Sequence, residues 1–277
     1  MSISRAKTIR KVLVYAGIIT ATILSVFPIF YLFLTSFKPA ELTFSIPPVW
    51  IFKPTLQNYR EVIQGGEFTK YLLNSLVVGV STILISMVFG VFAAFGFARF
   101  KFRGNFTMRM IALIPQMLPP ITIIVPMYVL FTSMKIVDTQ RALIISYLTF
   151  SMPLAMWMMI GFFEEVPVDL EESAMIDGCS RLRAMLTIEL PIALPGLAAT
   201  AVLSFIYCWN EFLYAVILTG RNSRTLPVMI TSFMTNKAIL WGRIAAAGSL
   251  VLLPVLIFAL FSQRYLIRGL AFGSVKG

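Results

Sequence analysis

The chain has 277 residues, of which 58% are hydrophobic and only 13% charged, with a mean hydropathy of +0.87. Soluble domains carry about 25% charged residues, so this composition excludes an ordinary water-soluble globule and calls for an integral membrane protein. The net charge of +11 comes without a basic stripe interleaved with aromatics, which sets nucleic acid aside in favour of charge at span edges, and the absence of histidine excludes a His-based catalytic or metal site.

The first apolar run, 12–37, follows Arg5, Lys7, Arg10 and Lys11. It is too long for the apolar core of a signal peptide and no small-x-small cleavage site follows it, so it reads as a retained first span. Lys38 and Pro39 end it. The segment 38–70, with Pro39, Pro47, Pro48, Pro54, Gly65 and Gly66, reads as an extracytoplasmic loop with little regular structure. A second span, 71–97, leads into a short turn carrying Arg99, Lys101 and Arg103 with no acid nearby, which the positive-inside rule puts in the cytoplasm together with the N-terminus. The third span, 110–131, holds Pro115, Pro119, Pro120 and Pro126. So many prolines free several carbonyls, and the helix is expected to be broken or kinked where other protein or a water-lined cavity shields it. The fourth span is 142–163.

A polar island follows at 164–191. It holds seven of the chain's 12 acidic residues and only two basic ones, Arg181 and Arg183. Pro167 suits a first helical turn, and Asp169, Glu171 and Glu172 put negative charge near the positive end of the helix dipole. Gly178 supplies a left-handed C-terminal position, Ser180 can cap a second helix, and Pro191 interrupts it. The spacing predicts two short helices and a turn along a membrane face. Beyond it lie a fifth span, 192–218, an outer loop, 219–243, a sixth span, 244–266, and a tail, 267–277, held inside by Arg264, Arg268 and Lys276. The fold class is therefore all-α integral membrane, one transmembrane domain of six helices with both termini cytoplasmic. Cys179 in the island and Cys208 in the fifth span fall in different environments and should not pair. Glu211 is the only acid well inside an apolar run; it needs a partner or a wet cavity, either lining a solute pathway with Asn210 or sitting ion-paired near the outer end of its span. Tyr207 and Trp209 offer aromatic surface beside it.

Glu172-Ser173-Ala174, Gly178 four positions later, then Ile188, Leu190 and Pro191, resemble the EAA…G…I-LP loop of permease subunits in bacterial ABC importers, with Ser173 where that family usually has alanine. Pro28, Thr35-Ser36-Phe37-Lys38, Asn74-Ser75, Ala98-Arg99-Phe100 and Trp209-Asn210-Glu211-Phe212 look like the smaller permease of carbohydrate importers related to the maltose transporter. The resemblance implies that Glu172, Ser173, Ala174, Asp177, Gly178, Ile188, Leu190 and Pro191 couple the chain to a cytoplasmic ATPase dimer on which the first island helix docks, and that Ser274, Val275 and Lys276 of the tail also reach it. It implies as further partners a second homologous permease, an extracytoplasmic solute-binding protein and the lipid of a bacterial inner membrane. No GxxxxGK[ST] loop is present, so ATP and magnesium would belong to the ATPase; the chain itself is expected to hold no cofactor and to be no enzyme. The solute so implied is a sugar or polyol, moved inward by alternating access. A permease for polyamine or glycerol phosphate, an ion-driven secondary carrier and a membrane scaffold are the other readings.

Overall fold

In the computed structural model the described residues are 3–65, 67–235 and 239–272. They are overwhelmingly helical, with one isolated antiparallel bridge between Met234 and Ile239. The helices are α1 (Ile3–Ser36), α2 (Gln57–Gln64), α3 (Phe68–Arg99), α4 (Asn105–Met117), α5 (Pro120–Ser133), α6 (Gln140–Glu165), α7 (Val168–Ile176), α8 (Arg181–Ala184), α9 (Leu190–Ile192), α10 (Leu194–Asn210), α11 (Leu213–Leu218), α12 (Leu226–Thr231) and α13 (Trp241–Phe272). Arg10–Ser36, Phe68–Arg99, Gln140–Glu165 and Trp241–Leu260 are long and apolar enough to cross a membrane. Two bent pairs bring the number of candidate spans to six if each pair is one span.

The chain forms two compact units. The first comprises residues 1–68 and 230–252. Its α1 leaves apolar side chains exposed through residues 12–30, as a helix in lipid or against another chain does. The loop after α1 is more ordered than its proline content suggests. A 3-10 turn spans Ala40–Leu42, and α2 forms where the prolines stop, with Asn58 and Val62 one turn apart on its buried face. Asn58 donates to the carbonyls of Ser36 and Lys38 at 2.9 Å, fastening the reversal, and Lys38 is buried with its ammonium near the rings of Tyr31 and Phe52.

The second unit comprises residues 69–229 and 253–277. Among the described residues its core includes two clusters. Val78, Ile124, Phe131, Leu143, Tyr147 and Leu218 pack toward one end, and Val91, Phe95, Met159, Phe163 and Met185 toward the other. The proline-rich third apolar run is broken as its sequence implies, since α4 and α5 meet at 86° across Leu118 and Pro119. The fifth run, read as a span over 192–218, is interrupted within its length between α10 and α11. Arg181–Ile192 and Leu194–Asn210 meet at 76°, and the helix stops again at Asn210. Pro195 at the head of α10 removes one backbone donor at the first bend, and Glu211 adopts an extended backbone that starts α11 anew. Cys179 and Cys208 are both free thiols.

Candidate functional site

The polar island is a built structure. Val166 is extended, Pro167 precedes the first turn of α7, and Asp169 and Glu171 lie in that turn. Gly178 stands at φ +87°, the left-handed conformation that closes the helix, and the N–H of Cys179 reaches the Ala174 carbonyl at 2.9 Å. Ser180 then caps α8, accepting from the N–H of Arg183 at 3.3 Å. A single π turn, Met185–Glu189, leads to Leu190 and Pro191. Ala174 is buried; Ser173 is exposed, with its hydroxyl donating to the Asp169 carbonyl, which is why a small polar residue is tolerated there. Glu172, Asp177, Gly178 and Pro191 are exposed, while Ile188 and Leu190 are half-buried. Around Glu172 the island also exposes Val168, Leu170, Met175, Ile176, Leu182 and Leu186, with Ile176 at 86%. Exposed apolar surface rimmed by polar residues is characteristic of protein or membrane contact sites.

What ties the island down is invisible in its local sequence. Arg99, at the end of α3, is buried and donates to Glu189 at 2.8 Å and to the Val166 carbonyl at 2.9 Å, and lies 3.4 Å from Glu171. Glu171 also pairs with Arg181 at 2.8 Å, and the Arg181 guanidinium covers the Phe100 ring. Two buried carboxylates and two guanidinium groups thus join α3, α7, α8 and the π turn. Burial, together with the nearby Glu189 charge, holds the Glu171 carboxyl above the ordinary carboxylate range, against the pull of Arg181 and Arg99. The sequence presents Glu171 as a helix-dipole charge and Arg99 as a topological charge within a family-like Ala98-Arg99-Phe100, and pairs neither with the other. The one signal was a basic residue ending an apolar run while the nearest acids lay far along the chain.

The fifth run supplies a second feature. A cavity of about 590 Å³ is lined by Gln116, Phe150, Tyr207, Asn210, Glu211 and Tyr214 among others. Tyr207 and Asn210 are exposed to it, and Asn210 donates to the Ile206 carbonyl. The Glu211 carboxylate accepts from the backbone N–H of Tyr214 at 2.9 Å and of Ala215 at 3.1 Å, so its partner is the freshly started α11. Trp209 points elsewhere: it is buried and stacks on Phe205 at 5.3 Å. Ser274, Val275 and Lys276 lie outside the described residues.

At the end of α6 away from the island, Asp138 organises the segment after α11. Its carboxylate accepts from the N–H groups of Gly220, Asn222 and Ser223 and from the Ser223 hydroxyl. A Cβ on Gly220 would come within 2.8 Å of that carboxylate, so only glycine allows the approach. Burial alone would raise Asp138, but these donors outweigh it and hold the carboxyl below its ordinary 3.8. Asn74 on α3 adds bonds to the carbonyls of Asn222 and Arg224.

Residues 86–272 match the family model described as binding-protein-dependent transport system inner membrane component. A probable ABC transporter permease protein of Sinorhizobium fredii is 38% identical over 276 residues, covering 100% of this chain and 99% of that one. The trehalose/maltose transport system permease protein MalG of Thermococcus litoralis is 33% identical over 277 residues, covering 99% of each. Among solved structures, a chain of a bacterial ABC transporter involved in the import of the acidic polysaccharide alginate shares the fold with a TM-score of 0.79 at 19% identity, over 96% of this chain and 99% of that one.

Proposed function

We propose, from the premise that the chain belongs to the family of binding-protein-dependent transport system inner membrane components, that it is a permease subunit moving a sugar or related polyol inward. Membership makes it an ABC importer permease and a multi-pass inner membrane protein, one of a class of subunits that are not themselves enzymes. Full-length similarity to a trehalose/maltose permease supports the sugar class.

The observation that carries the mechanism is the exposed acidic and apolar face around Glu172 and Ile176, mounted on the buried Arg99 cluster. A separate ATPase dimer docks there, and ATP and magnesium act on that dimer. When ATP closes the dimer, α7 is pulled and Arg99 carries the end of α3 with it, because separating them would strand Glu171 and Glu189 in the interior. With a second permease the spans then rock, and the cavity beside Tyr207, Asn210 and Glu211 opens toward an extracytoplasmic binding protein. The whole chain acts as one domain of six spans, with the N-terminus, island and tail cytoplasmic.

Reconstitution tests this reading. Proteoliposomes holding both permeases and the ATPase, with binding protein outside, should accumulate sugar only when ATP is inside, and an impermeant thiol reagent in intact cells should spare Cys179. Accumulation without ATP, or labelling of Cys179 from outside, would overturn it. Glu211→Gln keeps one acceptor for the head of α11 and should alter uptake while basal ATP hydrolysis and assembly persist.

A further inference from the structure

The first unit holds a cavity of its own, remote in sequence from the fifth apolar run and unused by the mechanism above. It measures about 330 Å³ and is bounded by the loop after α1, by α2 and by the first turn of α13. One wall is aromatic: Trp241 stacks against Phe44 with centroids 5.8 Å apart and an interplanar angle of 29°, and both rings remain well exposed. Polar side chains line the same cavity. Gln57 donates its amide to Glu61 at 2.9 Å, and Arg243 pairs with the other oxygen of the same carboxylate. The floor is Asn58, buried and held by its bonds to the Ser36 and Lys38 carbonyls, with Gly242 close against it.

Each wall has a chemical preference, and the two preferences coincide in one ligand class. A flat aromatic face attracts a ring that presents C–H bonds. The linked amide, carboxylate and guanidinium offer both donors and acceptors, since Arg243 keeps donors beyond the Nε that Glu61 uses and Gln57 keeps its carbonyl oxygen. A pyranose has both features, an apolar C–H face and an equatorial rim of hydroxyls. The charges of Glu61 and Arg243 cancel, so the site favours a neutral polyhydroxylated ligand over an anion or an amine. Its volume stands at the lower end of the range for small-molecule sites, about 300–1,000 Å³, which suits a single ring and not an oligosaccharide.

The geometry points to a carbohydrate subsite in the first unit, formed by Trp241, Phe44, Gln57, Glu61 and Arg243, that holds one sugar ring separately from the cavity beside Glu211. The site deepens the importer reading and rests on it, because a solute released outside would meet this cavity on the water side of α1 and α13.

Saturation-transfer difference spectra of the assembled permease complex in nanodiscs, with glucose, maltose and trehalose as probes, test it. Wild type should transfer saturation to sugar ring protons. Trp241→Leu should weaken the affinity by about tenfold, or about 1.4 kcal/mol, and Gln57→Leu, at an exposed position that cannot unfold the unit, should weaken it in the same direction. A complex that imports one of these sugars but shows no transfer, or whose transfer is unchanged by both Trp241→Leu and Gln57→Leu, overturns the subsite alone. A complex that imports none of them in an ATP-dependent manner overturns the carbohydrate reading and, with it, the ligand assigned here. Loss of binding-protein attachment in both variants with sugar transfer intact would give the cavity to a protein side chain and equally overturn the proposal.

Discussion

Two carboxylates fix the two polar ends of the second unit, and they do so by opposite means. Asp138 is a single charge wrapped by neutral donors, three backbone N–H groups and a hydroxyl, each aimed along the chain it fixes. Such a concavity sets the shape of one loop and needs no counter-ion. Glu171 belongs instead to a four-charge set with Glu189, Arg99 and Arg181, whose members come from separate segments. Directional backbone bonds make a rigid clamp; a buried ion network makes a joint whose parts stay together as they move, because parting leaves an uncompensated charge in the interior. The clamp fixes the shape of one loop, and the joint holds separate segments together.

Breaking the joint should have the largest effect. Arg99→Ala leaves two buried carboxylates with only Arg181 and should cost about 3–5 kcal/mol, read as a lowered unfolding midpoint in detergent and as proteolysis within 164–191. Arg99→Lys should not rescue it, since a point charge cannot reproduce the fork that reaches Glu189 and Val166 together. Breaking the clamp comes next. Asp138→Ala strands donors that now bond to a charge and should cost about 1.5–3 kcal/mol, with faster amide exchange at 220–223 and none added in the island. Gly178→Ala forces a side chain into the left-handed conformation at roughly 1–2 kcal/mol and should loosen the island while leaving the Asp138 loop untouched.

Acid sharpens the contrast because the two shifts have opposite signs. The folded Glu171 binds its proton more readily than the unfolded chain does, so its contribution grows as pH falls through the raised folded value and is complete below the ordinary 4.5. The folded Asp138 resists its proton, so its contribution is complete above 3.8 and is lost as pH falls through the lowered folded value. In unfolding scans against pH, Glu171→Gln should flatten the slope above 4.5 and Asp138→Asn the slope below 3.8.

What the sequence shows plainly is what local chemistry decides. Hydropathy marks the apolar runs, four prolines mark the 86° break between α4 and α5, and glycine at 178 marks a left-handed turn that the backbone adopts at φ +87°. The joint was illegible because Arg99 meets Glu189 across 90 residues of chain, and the clamp because Asp138 meets its donors across 82 to 85. The break at Glu211 escaped notice for a different reason. Trp209-Asn210-Glu211-Phe212 contains neither proline nor glycine, and the helix restarts because a carboxylate caps it, a tertiary choice that periodicity does not record. For the same reason Trp209, which looked like pathway surface beside Tyr207, packs into the core.

The exposed face carried by the joint is tested most directly at Glu172, whose side chain is exposed and whose replacement should change stability by no more than about 0.5 kcal/mol. Glu172→Lys, reconstituted with the partner permease, ATPase and binding protein, should insert and fold normally yet lose ATP-driven solute uptake, and a reciprocal basic-to-acidic change on the ATPase should restore it. Uptake at the wild-type rate by Glu172→Lys would contradict the coupling role of the island.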